Sequence, residues 1–167
     1  MQSVKIATVG GWSMEPILKE GDIILYRSTN YSLGDIILFK YGTLNLTHRL
    51  IKIENLLLTK GDNIPSWDAH IEKKDVLGVA EYVIRKNRII CLTNQTINKR
   101  FLNYAKLEMK SITLIENLLN IKSYKVNGFI KRVMMPLLIW NYILLLIYNR
   151  KSSIPNILNE LENNVGK

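Results

Sequence analysis

Three residues far apart in this 167-residue chain have the types that could open a peptide bond together: a serine after two glycines, a histidine on an apolar run and an aspartate in a polar loop. In Gly10-Gly11-Trp12-Ser13-Met14-Glu15-Pro16, the glycines clear the approach of a peptide backbone and permit unusual dihedrals. The Ser13 amide is a candidate donor to the oxyanion formed when a hydroxyl adds to a carbonyl, with Gly11, Met14 and Pro16 as its candidate oxyanion and substrate-binding surroundings. Alone, such a string is an ordinary turn. His48 lies in Leu44–Ile51, where alternation puts it on one face with Leu44, Leu46 and Leu50. A lone histidine there ordinarily serves the core. It is also a shielded, firmly held place for a general base, since free imidazole titrates at about 6.5 and its neutral form accepts a proton. Such a base works best when a carboxylate fixes its tautomer. Asp35, Asp62 and Asp68 are the candidates. Asp35 and Asp62 each follow a glycine, where aspartate commonly caps a turn, so Asp68 is the expected orienter. His70 reads as a surface residue.

These residues need a scaffold of strands. Residues 4–9, 23–27, 35–41, 44–54, 56–60, 76–85 and 88–92 are rich in Ile, Leu, Val and Tyr and are separated by Gly-Asp pairs and by Asn87. Seven short strands predict a mainly β fold, a small barrel or coiled sheet, over residues 1–94. From residue 95 the spacing turns helical, with Phe101, Ala105, Leu107, Ile112, Ile115, Leu118 and Leu119 predicting a helix over 98–121. Residues 95–167 are therefore a basic helical appendage, ending in a short acidic helix at about 157–163.

Composition narrows the classes. Two histidines and one cysteine, Cys91, without HExxH or CxxC, argue against a metal centre or a disulfide framework. No phosphate-binding glycine loop is present, and no cofactor is expected. The net charge of +9 sits in residues 85–132, where eleven Lys and Arg face two Glu. That excess suits an anionic membrane surface, or a solvated helical face; no nucleic-acid partner is expected. Val133–Tyr148 is uncharged and almost wholly apolar, with cations at both rims and Trp140, Tyr142 and Tyr148 inside. Its sixteen residues fall just short of the roughly 17–25 of a spanning helix, leaving a marginal span, an interfacial helix or a core helix. Membrane association is the expectation, and a cytoplasmic location follows if 133–148 is not a membrane segment.

Gly-Trp-Ser-Met-Glu-Pro-x-Leu-x-x-Gly-Asp at 11–22, Gly-Asp-Ile at 34–36, His48-Arg49, Thr-Lys-Gly-Asp-Asn at 59–63, Asp68 and Asp-Val-Leu-Gly at 75–78 occur in one order. The ordered set resembles the type I signal peptidase family, in its endoplasmic-reticulum and SipW-like branch. The resemblance covers about residues 10–80. It implies Ser13 as nucleophile, His48 as base where the common bacterial branch has lysine, and Asp68 as the completing carboxylate. It also implies Asp35, Arg49, Gly61 and Asp62 in support. A serine endopeptidase acting through an acyl-enzyme on a signal- or leader-peptide-bearing protein is the implied function, with small residues before the cleaved bond. Specialised peptide maturation by the same chemistry, and a non-catalytic membrane-associated peptide-binding module, are the alternatives. Family members carry a membrane anchor before the serine. Twelve residues precede Ser13 here; 133–148 is a candidate substitute, and a soluble enzyme acting on a dedicated leader peptide is the other reading. Gly11 stands where the bacterial branch supplies an oxyanion hydroxyl, and Asn63-Ile64-Pro65 departs from the usual Asn-Asn.

Overall fold

The computed structural model describes residues 3–68, 70–119 and 124–151. The seven apolar runs form β1 (Lys5–Thr8), β2 (Ile23–Arg27), β3 (Ile36–Tyr41), β4 (Leu44–Ile53), β5 (Leu57–Lys60), β6 (Val76–Arg85) and β7 (Arg88–Cys91). They pair in one antiparallel sheet of order β1-β2-β6-β3-β4-β5, with β7 also on β6. The long strand β6 joins the halves: it pairs with β2 through 79–84, with β3 through 76–79 and with β7 through 82–85. The expected mainly β architecture with helices after it is the one the chain adopts.

Two helices follow, α1 (Gln95–Leu119) and α2 (Tyr124–Lys151). α1 begins three residues before the sequence-based estimate, because the Asn94 side chain accepts the Ile97 amide at 2.9 Å and caps the first turn. Its inner stripe differs from the expected one. Phe101, Tyr104, Ala105, Glu108 and Ile112 are buried, whereas Leu107 is 49% and Leu118 74% exposed. α1 lies on the β4 face that carries Arg49 and Ile51, with Leu102 and Ala105 on Ile51 and Phe101 under Arg49. Leu107 and Leu118 point off that stripe. Covered this way, β4 is buried on both faces over 48–51, so strict alternation fails there. The largest core cluster joins Met14, Ile17 and Leu18 of the serine turn, sheet residues such as Ile24 and Val83, and Leu138 and Leu145 of α2. The expected helix at 157–163 lies outside the described residues.

The apolar segment 133–148 sits inside α2, within a 22-residue stretch, Gly128–Asn149, long and apolar enough to cross a membrane at a mean hydropathy of 1.6. One side of α2 is buried through Ile130, Leu138, Asn141 and Leu145. The other leaves Phe129, Val133, Leu137, Trp140 and Ile147 exposed.

Gly34 lies where chain segments nearly touch. Its φ is +92°, and a Cβ there would stand 2.9 Å from the Asn98 carbonyl of α1. The absent side chain lets Asp35 reach the helix. Asp35 accepts the Ser32 amide at 2.8 Å, so it closes the turn, and its other oxygen takes the Asn98 amide group at 3.1 Å.

Candidate active site

Ser13 sits in a compact turn held by Glu15 N–H to Trp12 O and Leu18 N–H to Met14 O, both 3.1 Å. The loop after β5 clasps this turn. The Asn63 amide donates to Ser13 O at 2.8 Å, the Asn63 side chain to Trp12 O at 3.2 Å, and the Asp62 amide to Met14 Sδ at 3.4 Å. Gly61 lies so close that a Cβ would be 2.7 Å from Ser13 O and 3.3 Å from His48 Nε2. Only a residue without a side chain lets this loop press on the serine.

His48 reaches the turn from β4, where it pairs with Ile37 across the β3 ladder. Its ring is nearly enclosed and meets Phe39 edge-on, centroids 6.2 Å apart. Nε2 is 2.8 Å from Ser13 Oγ and Nδ1 is 2.6 Å from Asp68 Oδ2. The same Asp68 oxygen accepts Thr59 Oγ1–H at 2.7 Å, and the Asp68 amide donates to Thr59 O. Serine, histidine and aspartate, separated by 35 and 20 positions in the chain, thus form one hydrogen-bonded line. With Nδ1–H donated to the carboxylate, Nε2 is left as an acceptor facing the hydroxyl. Thr59 is a member of this set that sequence reasoning passed over; its only signal was its place at the head of Thr-Lys-Gly-Asp-Asn.

A groove of about 320 Å³ opens over Ser13 and His48, lined also by Thr8–Gly11, Met14, Leu18 and Leu44–Thr47. Gly11 therefore borders the groove. Met14 forms part of its lining while its side chain lies in the core, 2% exposed. Pro16 lies outside the lining, its carbonyl turned to Arg85. His70 is exposed at the surface.

Asp62 departs from its expected duty as a turn cap. It forms a forked pair with Arg49, Nε to Oδ1 at 2.8 Å and Nη2 to Oδ2 at 2.7 Å, and both side chains are 1% exposed. The reason is burial: α1 seals Arg49 over the Phe101 ring, 4.6 Å from its centroid, and a sealed guanidinium needs a carboxylate. Arg49 also donates to Gly34 O at 2.6 Å. A second such tie was not anticipated. Arg85 pairs with Asp22 at 2.6 Å and donates to Ile17 O and Tyr142 Oη, joining the serine turn to α2. The hydrogen bond to Asp22 raises the Arg85 pKa above its already high value.

A hydroxyl, an imidazole and a carboxylate aligned beside a groove on a small antiparallel sheet form a candidate site of the serine-hydrolase class. The chain is 30% identical over 137 residues to the signal peptidase complex catalytic subunit SEC11 of Komagataella phaffii, a match covering 68% of this chain and 77% of the relative. No family model matches the chain, and no solved structure matches it significantly. The chain belongs to the type I signal peptidase family, in its endoplasmic-reticulum branch.

Proposed function

We propose that this protein is a serine endopeptidase that cleaves a signal or leader peptide through an acyl-enzyme. The observation that carries this reading is the line Ser13 Oγ–His48 Nε2–Asp68 at 2.8 and 2.6 Å beside an open groove. His48 takes the Ser13 proton as Oγ adds to the scissile carbonyl, then delivers it to the leaving amine. Asp68, itself fixed by Thr59, holds the imidazole in the useful tautomer. Residues 44–48 of β4 pair with β3, while β5 engages β4 only from Arg49 onward. Among the described residues no strand pairs with that edge of the first half of β4, beside the serine, so an extended substrate can add there as a strand. The match to a signal peptidase catalytic subunit supports signal-peptide-bearing proteins as substrates. An N-acyl-alanine activated ester tests the chemistry: wild type is expected to show a burst and a mass adduct on Ser13, and Ser13→Ala neither. An equal burst from Ser13→Ala would end the proposal.

The outward face of α2 adds a location to this reading. Phe129, Val133, Leu137, Trp140 and Ile147 are exposed on a helix whose opposite side is fixed to the core, with Arg132 exposed beside them. That face suits seating in an anionic lipid surface with the helix lying along it. The full chain is expected to float with phosphatidylserine-containing vesicles and to show a blue-shifted tryptophan emission. Trp140→Asp should weaken partitioning by about tenfold or more, since a buried aromatic contributes roughly 1.5–3 kcal/mol. Unchanged flotation of Trp140→Asp would remove α2 from the contact.

A further inference from the structure

Beneath the serine-facing loop lies a group of buried charges that the proposed chemistry does not use. Lys60 of β5 and Glu108 of α1 meet at 2.7 Å with both side chains fully buried. Lys131 of α2, its side chain 11% exposed, approaches the other Glu108 oxygen at 3.5 Å. Tyr104 Oη–H donates to that same oxygen at 3.1 Å, and the Tyr104 ring lies 5.9 Å from Lys131 Nζ. Burial pushes Tyr104 well above the usual phenol range, with the Glu108 charge adding to it, so its hydroxyl stays a donor.

The lysines also end on the loop itself. Lys60 Nζ donates to Gly61 O at 3.1 Å, and Lys131 Nζ donates to Asp62 O at 2.7 Å. These are consecutive carbonyls of the segment that presses Gly61 against Ser13 and His48, and whose next residue, Asn63, binds Ser13 O. Lys131 is placed at a cost. Burial lowers its pKa, with the nearby Lys60 charge adding to this and Glu108 and Asp62 opposing it. An ammonium on a helix flank could instead turn to water, so the inward placement is held by its contacts with Asp62 O and Glu108.

We infer that Lys131, anchored by Glu108, is a positioning residue: it carries the helical appendage's hold on the Gly61–Asn63 loop and so sets Ser13 against His48. This rests on the serine-peptidase reading above and adds to it a dependence of acylation on α1 and α2. The backbone carbonyls, rather than any substrate atom, are what the lysines grip, so the effect belongs in the rate of the chemical step and not in substrate affinity.

Lys131→Met removes the grip while leaving Glu108 paired with Lys60 and Tyr104. With the N-acyl-alanine activated ester, burst amplitude counts competent sites and burst rate reports acylation at each of them. The acylation rate constant per site is expected to fall about 10- to 100-fold, since a displacement near 1 Å can cost that much, with the ester concentration for half-maximal burst rate within about twofold of wild type. Lys131→Arg, which keeps a donor, should recover most of the rate. Lys131→Gln, too short to reach Asp62 O from the same rotamer, serves if the Met variant does not accumulate, and should show the same fall. Fewer competent sites with an unchanged rate at each would mean a purely structural role and would overturn the inference. Absence of any burst in wild type, or a burst in Ser13→Ala, would instead defeat the underlying reading.

Discussion

His48→Ala is expected to lower turnover of a cleavable leader peptide by about 10⁴-fold or more while leaving the fold intact. That factor is about 5 kcal/mol of lost transition-state stabilisation. The size follows from geometry. Nε2 stands 2.8 Å from Ser13 Oγ, within reach of the proton that it takes in the proposed mechanism, and Nδ1 is committed to Asp68 at 2.6 Å. Among the described residues, no other His, Lys or carboxylate side chain makes a hydrogen bond with Ser13 Oγ, so none of them is placed to inherit the proton. In the proposed mechanism serine and imidazole act as a unit, so Ser13→Ala with His48→Ala should be no slower than either alone. Asp68→Asn should cost less than losing the base itself, about 10²- to 10⁴-fold, by favouring the wrong tautomer. Peptide cleavage followed by mass spectrometry measures all of these. Activity of His48→Ala within tenfold of wild type would assign the proton transfer elsewhere.

Arg49→Met should lower stability by about 3–5 kcal/mol, because it leaves the Asp62 carboxylate buried without its partner. For a domain of this size that corresponds to a fall in Tm of roughly 6–20 °C. The pair is worth much less than its removal costs, since two charges were taken out of water to make it. Arg49→Met with Asp62→Leu should therefore recover most of the lost Tm. Recovery of stability need not restore rate, because Asp62 belongs to the segment that presses Gly61 on the serine. Thermal unfolding of the two variants beside wild type decides it: an Arg49→Met Tm within about 2 °C of wild type would mean that solvent reaches Asp62.

The chain carries its β scaffold openly. Short apolar runs, punctuated by three Gly-Asp pairs and by Asn87, mark all seven strands, because strand and turn preferences are local properties. Ser13, His48 and Asp68 are each ordinary alone, and only the ordered set of strings around them, with its resemblance to a peptidase family, marks them as candidates. Their distances are another matter. So is the duty of Asp62, which resembles Asp35 in sequence, each following glycine, yet pairs with Arg49 only because α1 closes over β4. Lys131 reads as one more cation in a basic stretch until α2 turns it toward Asp62 O, 69 positions away. Local sequence fixes periodicity and turns, whereas the sign and burial of a charge's neighbours depend on which elements pack together. The helices' grip on the serine loop, and the apolar face that α2 leaves uncovered, therefore exist only in the folded chain.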